Sequence, residues 1–63
     1  MYRVFTRNWW RIEKNGQKIP DAGARKYTLC YTNSETMARA ACKEYNDTHD
    51  PGPLSRKAEY MET

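Results

Sequence analysis

The segment Tyr2-Arg3-Val4-Phe5-Thr6-Arg7-Asn8-Trp9-Trp10-Arg11 leaves this chain little conformational choice. It is rich in aromatic and β-branched residues and free of glycine and proline, which is the composition of a strand. A strand running from Tyr2 to Arg11 or Ile12 is expected. Successive strand side chains leave on opposite sides, so Arg3, Phe5, Arg7, Trp9 and Arg11 share one face while Tyr2, Val4, Thr6, Asn8 and Trp10 share the other. The first face is cationic and aromatic at once. The second is the one a small core can bury, so one side builds the fold and the other is free to meet a partner.

Beyond this strand, two glycines and a proline punctuate the polar stretch Lys14 to Gly23, which reads as a long hairpin loop extending to Ala24. Asn15-Gly16 has the chemistry of a tight turn, but Pro20 cannot donate to a ladder and is expected to break the pairing beyond it. A second strand follows from Arg25 or Lys26 to Thr32, with Tyr27, Leu29 and Tyr31 on one face and Lys26, Thr28, Cys30 and Thr32 on the other. Antiparallel pairing with the first strand is the simplest connection.

A helix is predicted next. Asn33 or Ser34 supplies its N-cap and Glu35 favours its positive end. Met37, Ala38, Ala41, Cys42 and Tyr45 form an apolar stripe, with Arg39, Lys43 and Glu44 on the other side. Asn46 and Asp47 are the expected terminators, and Asp50-Pro51-Gly52-Pro53 cannot continue a helix. Leu54 to Met61 reads as a third strand, with Leu54, Ala58 and Tyr60 on one face and with Arg56, Lys57 and Glu59 to deter aggregation at an edge. The order β-β-α-β describes a single α+β domain over residues 1–63. In it, one helix packs on one face of a small antiparallel three-stranded sheet and the other face stays open.

A domain of 63 residues hides only about 60% of the surface its unfolded chain exposes. Stability should be modest, a dimer would ease the shortage of buried surface, and the size argues for a binding module rather than an enzyme. Five Tyr, two Trp and one Phe predict an aromatic core, since each buried ring removes about 150–250 Å² from water. The net charge of +3 is uneven: Met1 to Tyr27 carries +5 and Thr28 to Thr63 carries −2. The basic half fits an anionic partner, nucleic acid or an acidic protein surface, although on composition alone ordinary solubilising charge is the simpler account. No apolar run approaches a membrane span. With neither C-x-x-C spacing nor clustered histidines, Cys30 and Cys42 are expected as buried free thiols in a reducing compartment, without a metal.

The Arg3/Phe5/Arg7/Trp9/Arg11 stripe admits two readings. Its guanidinium groups can contact phosphates or carboxylates while its rings stack or fill a groove, or the arginines simply cover the rings of a solvated sheet. Adjacent indoles at Trp9 and Trp10 should leave the strand on opposite sides. The outward one is either an interface anchor or packs against the Lys14–Gly23 loop. His49, between Asp47 and Asp50, lacks a nucleophile to complete a catalytic set, and a turn or capping role is expected there. No cofactor site is legible.

The run Ser34-Glu35-Thr36-Met37-Ala38-Arg39-Ala40-Ala41-Cys42-Lys43-Glu44-Tyr45, continuing through Asp50-Pro51-Gly52-Pro53 to Tyr60, resembles the carboxy-terminal half of short uncharacterised bacteriophage and prophage proteins. Tyr2-Arg3-Val4-Phe5-Thr6-Arg7 with Trp9-Trp10-Arg11 resembles their first strand. The resemblance implies a setting, the cytoplasm of a bacterial host, and no mechanism or site residues. Anti-CRISPR and other anti-defence inhibitors are of this size class; many mimic DNA through acidic surfaces, which the basic first half of this chain does not match. The expectation is a non-enzymatic accessory protein that binds and inhibits or redirects a host protein or ribonucleoprotein complex through Arg3, Phe5, Arg7, Trp9 and Arg11. The alternative is a small nucleic-acid-binding regulator that uses the same face on DNA or RNA.

Overall fold

A computed structural model describes residues 1–63. Strands β1 (Tyr2–Asn8), β4 (Tyr27–Thr32) and β5 (Arg56–Glu62) form an antiparallel sheet in the order β4-β1-β5, with helix α1 (Glu35–Thr48) between the last two in sequence. The α+β class stands. Two short strands, β2 (Trp10–Ile12) and β3 (Lys18–Pro20), add a separate hairpin inside the region expected to be strand end and loop.

The first strand therefore stops at Asn8 rather than reaching Arg11. The N–H groups of Trp9 and Trp10 both donate to the Leu54 carbonyl, each at 3.1 Å, and the Trp9 carbonyl accepts from Asp21 N–H at 2.8 Å. Two successive donors on one acceptor make a bulge-like bend, and the chain leaves the sheet as β2. The loop from Lys14 is likewise more ordered than its composition suggests. Gly16 N–H bonds back to Glu13 C=O at 2.8 Å, and Gly16 then takes a φ of 83° that glycine accepts at no steric cost. Pro20 closes this hairpin opposite Trp10, at a strand end where its missing donor does no harm.

Ser34 caps α1, its hydroxyl accepting from Met37 N–H at 3.3 Å. Asn46 and Asp47 do not end the helix, which continues to Thr48. Asn46 faces the sheet: its amide donates to Ala58 C=O at 3.2 Å and its carbonyl accepts from Ala58 N–H at 2.8 Å. One side chain thereby satisfies both outer backbone groups of an edge-strand residue, and that tie favours helix over the turn Asn would otherwise form. His49 takes the C-cap position, with its N–H on Tyr45 C=O and its ring stacked on Tyr45 at 3.9 Å.

Between the layers lies a core of Val4, Ala38, Cys42 and Ala58, with Tyr2, Ala41, Tyr45 and Tyr60 packed around it. It is a small-residue core with an aromatic rim rather than the aromatic core expected. The reason is proximity: Ala38, Cys42 and Ala58 hold the helix so close to the sheet that whole rings fit only at its margin. Val4 and Ala38 are fully enclosed. The helix lies over β1 and β5 and reaches β4 least. Met37, expected in the buried stripe, is accordingly 62% exposed. Asn46, Arg39 and Glu35 engage β5 residues, so by helical geometry Met37 and Ala41 flank the opposite, β4 side. Cys30, expected buried, is exposed for the same reason, while Cys42 is buried. No helix is long and apolar enough to cross a membrane.

Candidate functional site

The face of the sheet away from α1 carries the first part of the stripe. Pairs Arg3↔Tyr31 and Phe5↔Thr28 with β4, and Arg3↔Met61, Phe5↔Glu59 and Arg7↔Lys57 with β5, set these side chains side by side, because directly opposed residues share a face. Arg3 Nε donates to Thr28 Oγ1 at 2.8 Å, and Arg7 Nε donates to Glu59 Oε2 at 2.6 Å.

Phe5 is the centre of this face and is only 5% exposed, although no second layer covers it. Arg3 and Lys26 each stand 5.5 Å from its ring centroid. It is the charged groups themselves, the Arg3 guanidinium and the Lys26 ammonium, that lie over the ring. Phe5 is therefore a miniature core under a cationic lid, and its ring is not a platform on which a base could stack.

Trp9 remains available. Its indole is 41% exposed and lies between Arg7 and Lys57, each 5.3 Å from the ring centroid. The backbone bonds at the bend fix its origin on both the donor and acceptor sides. Trp10 is half-buried, with Lys18 5.6 Å from its ring, so the bend replaces the expected buried-or-exposed alternation with two partly exposed indoles. Arg11 departs from the group. It lies on β2, opposite Ile19, and pairs with Glu13 at 3.2 Å.

The structure thus brings together Arg3, Phe5, Arg7 and Trp9, and places Arg11 on a neighbouring ribbon. It adds Lys26 and Lys57, which the reading of the first strand alone could not supply. Their signal was present in the alternation of β5 and in the basic start of β4, but only pairing register shows which face they join. A further aromatic-cation group lies apart: Arg25 and Arg56 stand 5.2 and 4.8 Å from the Tyr27 ring.

Elsewhere, polar groups serve the fold. The His49 ring contacts Tyr45 C=O and Thr48 Oγ1, each at 3.0 Å. A concavity of about 360 Å³ on the solvent side of α1 is lined by Ala40, Lys43, Glu44, Asp47 and Thr48, where Lys43 and Asp47 already pair at 2.6 Å. Burial pushes the Cys42 thiol above its ordinary range, which favours the neutral, unreactive form. No group of three or more His, Cys, Asp or Glu side chains is placed to hold a metal ion.

In comparisons with known proteins, no family model, no curated protein and no solved structure matches the chain. The class defined by fold and site is a two-layer α+β module with an open cationic sheet face around one anchored indole.

Proposed function

We propose that this protein is a non-enzymatic binding module that docks its open sheet face on an anionic surface of a host protein or ribonucleoprotein complex and inhibits or redirects it by occlusion. The observation that carries the reading is the Trp9 indole, exposed yet pinned at the backbone and framed by Arg7 and Lys57. A rigid aromatic gains affinity by desolvation without a large ordering cost, and the cations around it contribute orientation and association rate. Arg3 and Lys26 extend the positive field across the face, and Glu59 orients Arg7. The proposed setting, resting on the resemblance to short phage proteins, is the cytoplasm of a bacterial host, in an anti-defence or comparable accessory role.

A second reading, a nucleic-acid-binding regulator, has an observation of its own: Arg3, Arg7, Lys26 and Lys57 share a face with a single carboxylate, Glu59. Such a surface would contact phosphates, with Trp9 as the stacking ring. Protein docking is favoured because the Phe5 ring is closed to stacking.

Capture from bacterial lysate separates the two. Tagged wild type, Trp9→Ala and Arg11→Ala are compared, with and without nuclease. The protein reading predicts a defined complex that resists nuclease, is lost in Trp9→Ala and is weakened less in Arg11→Ala. Recovery of nucleic acid alone, abolished by nuclease and falling steeply with salt, would replace it with the second reading. Retention of the same complex by Trp9→Ala would refute the role given to the indole.

A further inference from the structure

The outer edge of β4 is finished differently from that of β5. On β5, Asn46 occupies both outer backbone groups of Ala58, and Lys57, Glu59 and Glu62 place charges along the strand. Tyr27-Thr28-Leu29-Cys30-Tyr31-Thr32 has no charged residue, no proline and no glycine, and a register shift opposite Val4/Phe5, which leaves Leu29 unpaired, is its one irregularity. Natural edge strands are blunted by charge, proline, bulges or a covering element. Here α1 leans toward β5, leaving Tyr27 46% and Met37 62% exposed, while Tyr31 on the open face is 57% exposed and Leu29 at the irregularity 46%.

We infer that the β4 edge is a homodimer interface, occupied by β4 of a second copy in antiparallel, two-fold pairing that makes one six-stranded sheet. The pairing is self-complementary. An uncharged strand meets an uncharged strand, and the cations Lys26 and Arg25 just before it fall beside Ser34 and Glu35 just after the other copy's strand, never beside each other. The register follows from the ladder. Ala58 gives its N–H and C=O to Asn46, so Thr6↔Ala58 is a non-hydrogen-bonded pair. In an antiparallel ladder the pattern alternates, so Tyr2, Val4 and Thr6 bond instead to Thr32, Cys30 and Tyr27 of β4. This leaves the backbone of Tyr31 and of the Thr28–Leu29 irregularity pointing outward. A two-fold axis at Cys30 lets Tyr31 and Leu29 exchange hydrogen bonds with Leu29 and Tyr31 of the second copy. It also sets the two Cys30 residues opposite each other as a non-bonded pair, about 4.5 Å apart at Cα. The inference is independent of what the cationic face binds, although a shared sheet would put two such faces on one surface.

The test is sedimentation velocity of the wild type across a series into the high-micromolar range, with Leu29→Lys and Tyr31→Lys alongside. A parallel arm treats the wild type, Cys30→Ser and Cys42→Ser with a short bismaleimide. The expected result is a species of twice the 7.5 kDa chain mass, shifted to monomer in both lysine variants with their helical circular dichroism retained. Cross-linking should require Cys30 and not Cys42. The cross-linking arm keeps the test decisive should a lysine variant fail to fold. A wild type that stays monomeric throughout, a dimer that persists in both lysine variants, or a dimer that cross-links without Cys30 would each overturn the inference. So would a monomer that takes up a foreign extended peptide along β4.

Discussion

Asn46→Ala offers the sharpest test of how so thin a molecule holds together. The side chain makes two hydrogen bonds, at 3.2 and 2.8 Å, to the backbone of one buried edge-strand residue, Ala58, although Asn46 itself is exposed. Each such bond contributes about 0.5–1.5 kcal/mol net. Alanine is the better helix former by up to about 0.7 kcal/mol, which offsets part of the loss, so the expected net destabilisation is about 1–2 kcal/mol. A chain of 63 residues has a total of only about 3–9 kcal/mol to draw on, and the change corresponds to a fall in Tm of about 5–15 °C. Thermal and urea unfolding followed by circular dichroism would read it, with Glu44→Ala on the solvent side of the same helix as a control expected to lie within about 0.5 kcal/mol of wild type. If Asn46→Ala unfolds with the control, water replaces the side chain at the β5 edge, and the tie between helix and edge strand is not what orders the last turns of α1.

Other changes probe the two layers separately. Ala38→Leu adds volume where the helix meets β1 and should cost about 1–3 kcal/mol in urea unfolding, since Ala38 is fully enclosed. Phe5→Ala should remove about 3 kcal/mol or more and leave little folded protein by circular dichroism, whereas Trp9→Ala, at an exposed ring, should retain the wild-type spectrum. Cys42 is held above the ordinary thiol range by burial, so the fold favours its protonated form. The resulting stability is complete below that range and declines as pH rises through it, and Cys42→Ala should flatten the alkaline limb of a Tm-against-pH curve. Native thiol titration at neutral pH should count one reactive group, Cys30, and two only after unfolding.

Much of this architecture was legible locally. The strand composition of Tyr2 to Asn8, the Ser34 cap and the Ala38/Cys42 spacing each specify their element without help from distant residues, and together they give the α+β sheet-and-helix layout. What escaped the sequence is tertiary. Trp9 and Trp10 continue a strand pattern until the Leu54 carbonyl captures both of their N–H groups. Asn46 reads as a stop signal until Ala58 offers it two partners. Met37 and Cys30 look like core residues until the helix settles over β5 instead of β4. For the candidate site, period-2 alternation correctly grouped Arg3, Phe5 and Arg7, but it treated the Phe5 ring as available. Nothing in a single strand reveals that Lys26, remote in sequence, helps to close over it.

The central claim, that the open face docks through Trp9, is tested most directly by hydroxyl-radical footprinting of the protein alone and within the complex captured from lysate. Trp9 and Met37 are both exposed in the free chain, at 41% and 62%, and both are oxidisable, so one reports on the open sheet face and the other on the helix side. The account predicts that complex formation strongly protects Trp9 and leaves Met37, on the flank of α1, as reactive as before. Protection of Met37 with unchanged oxidation of Trp9 would contradict it and move the docking surface to the helix side.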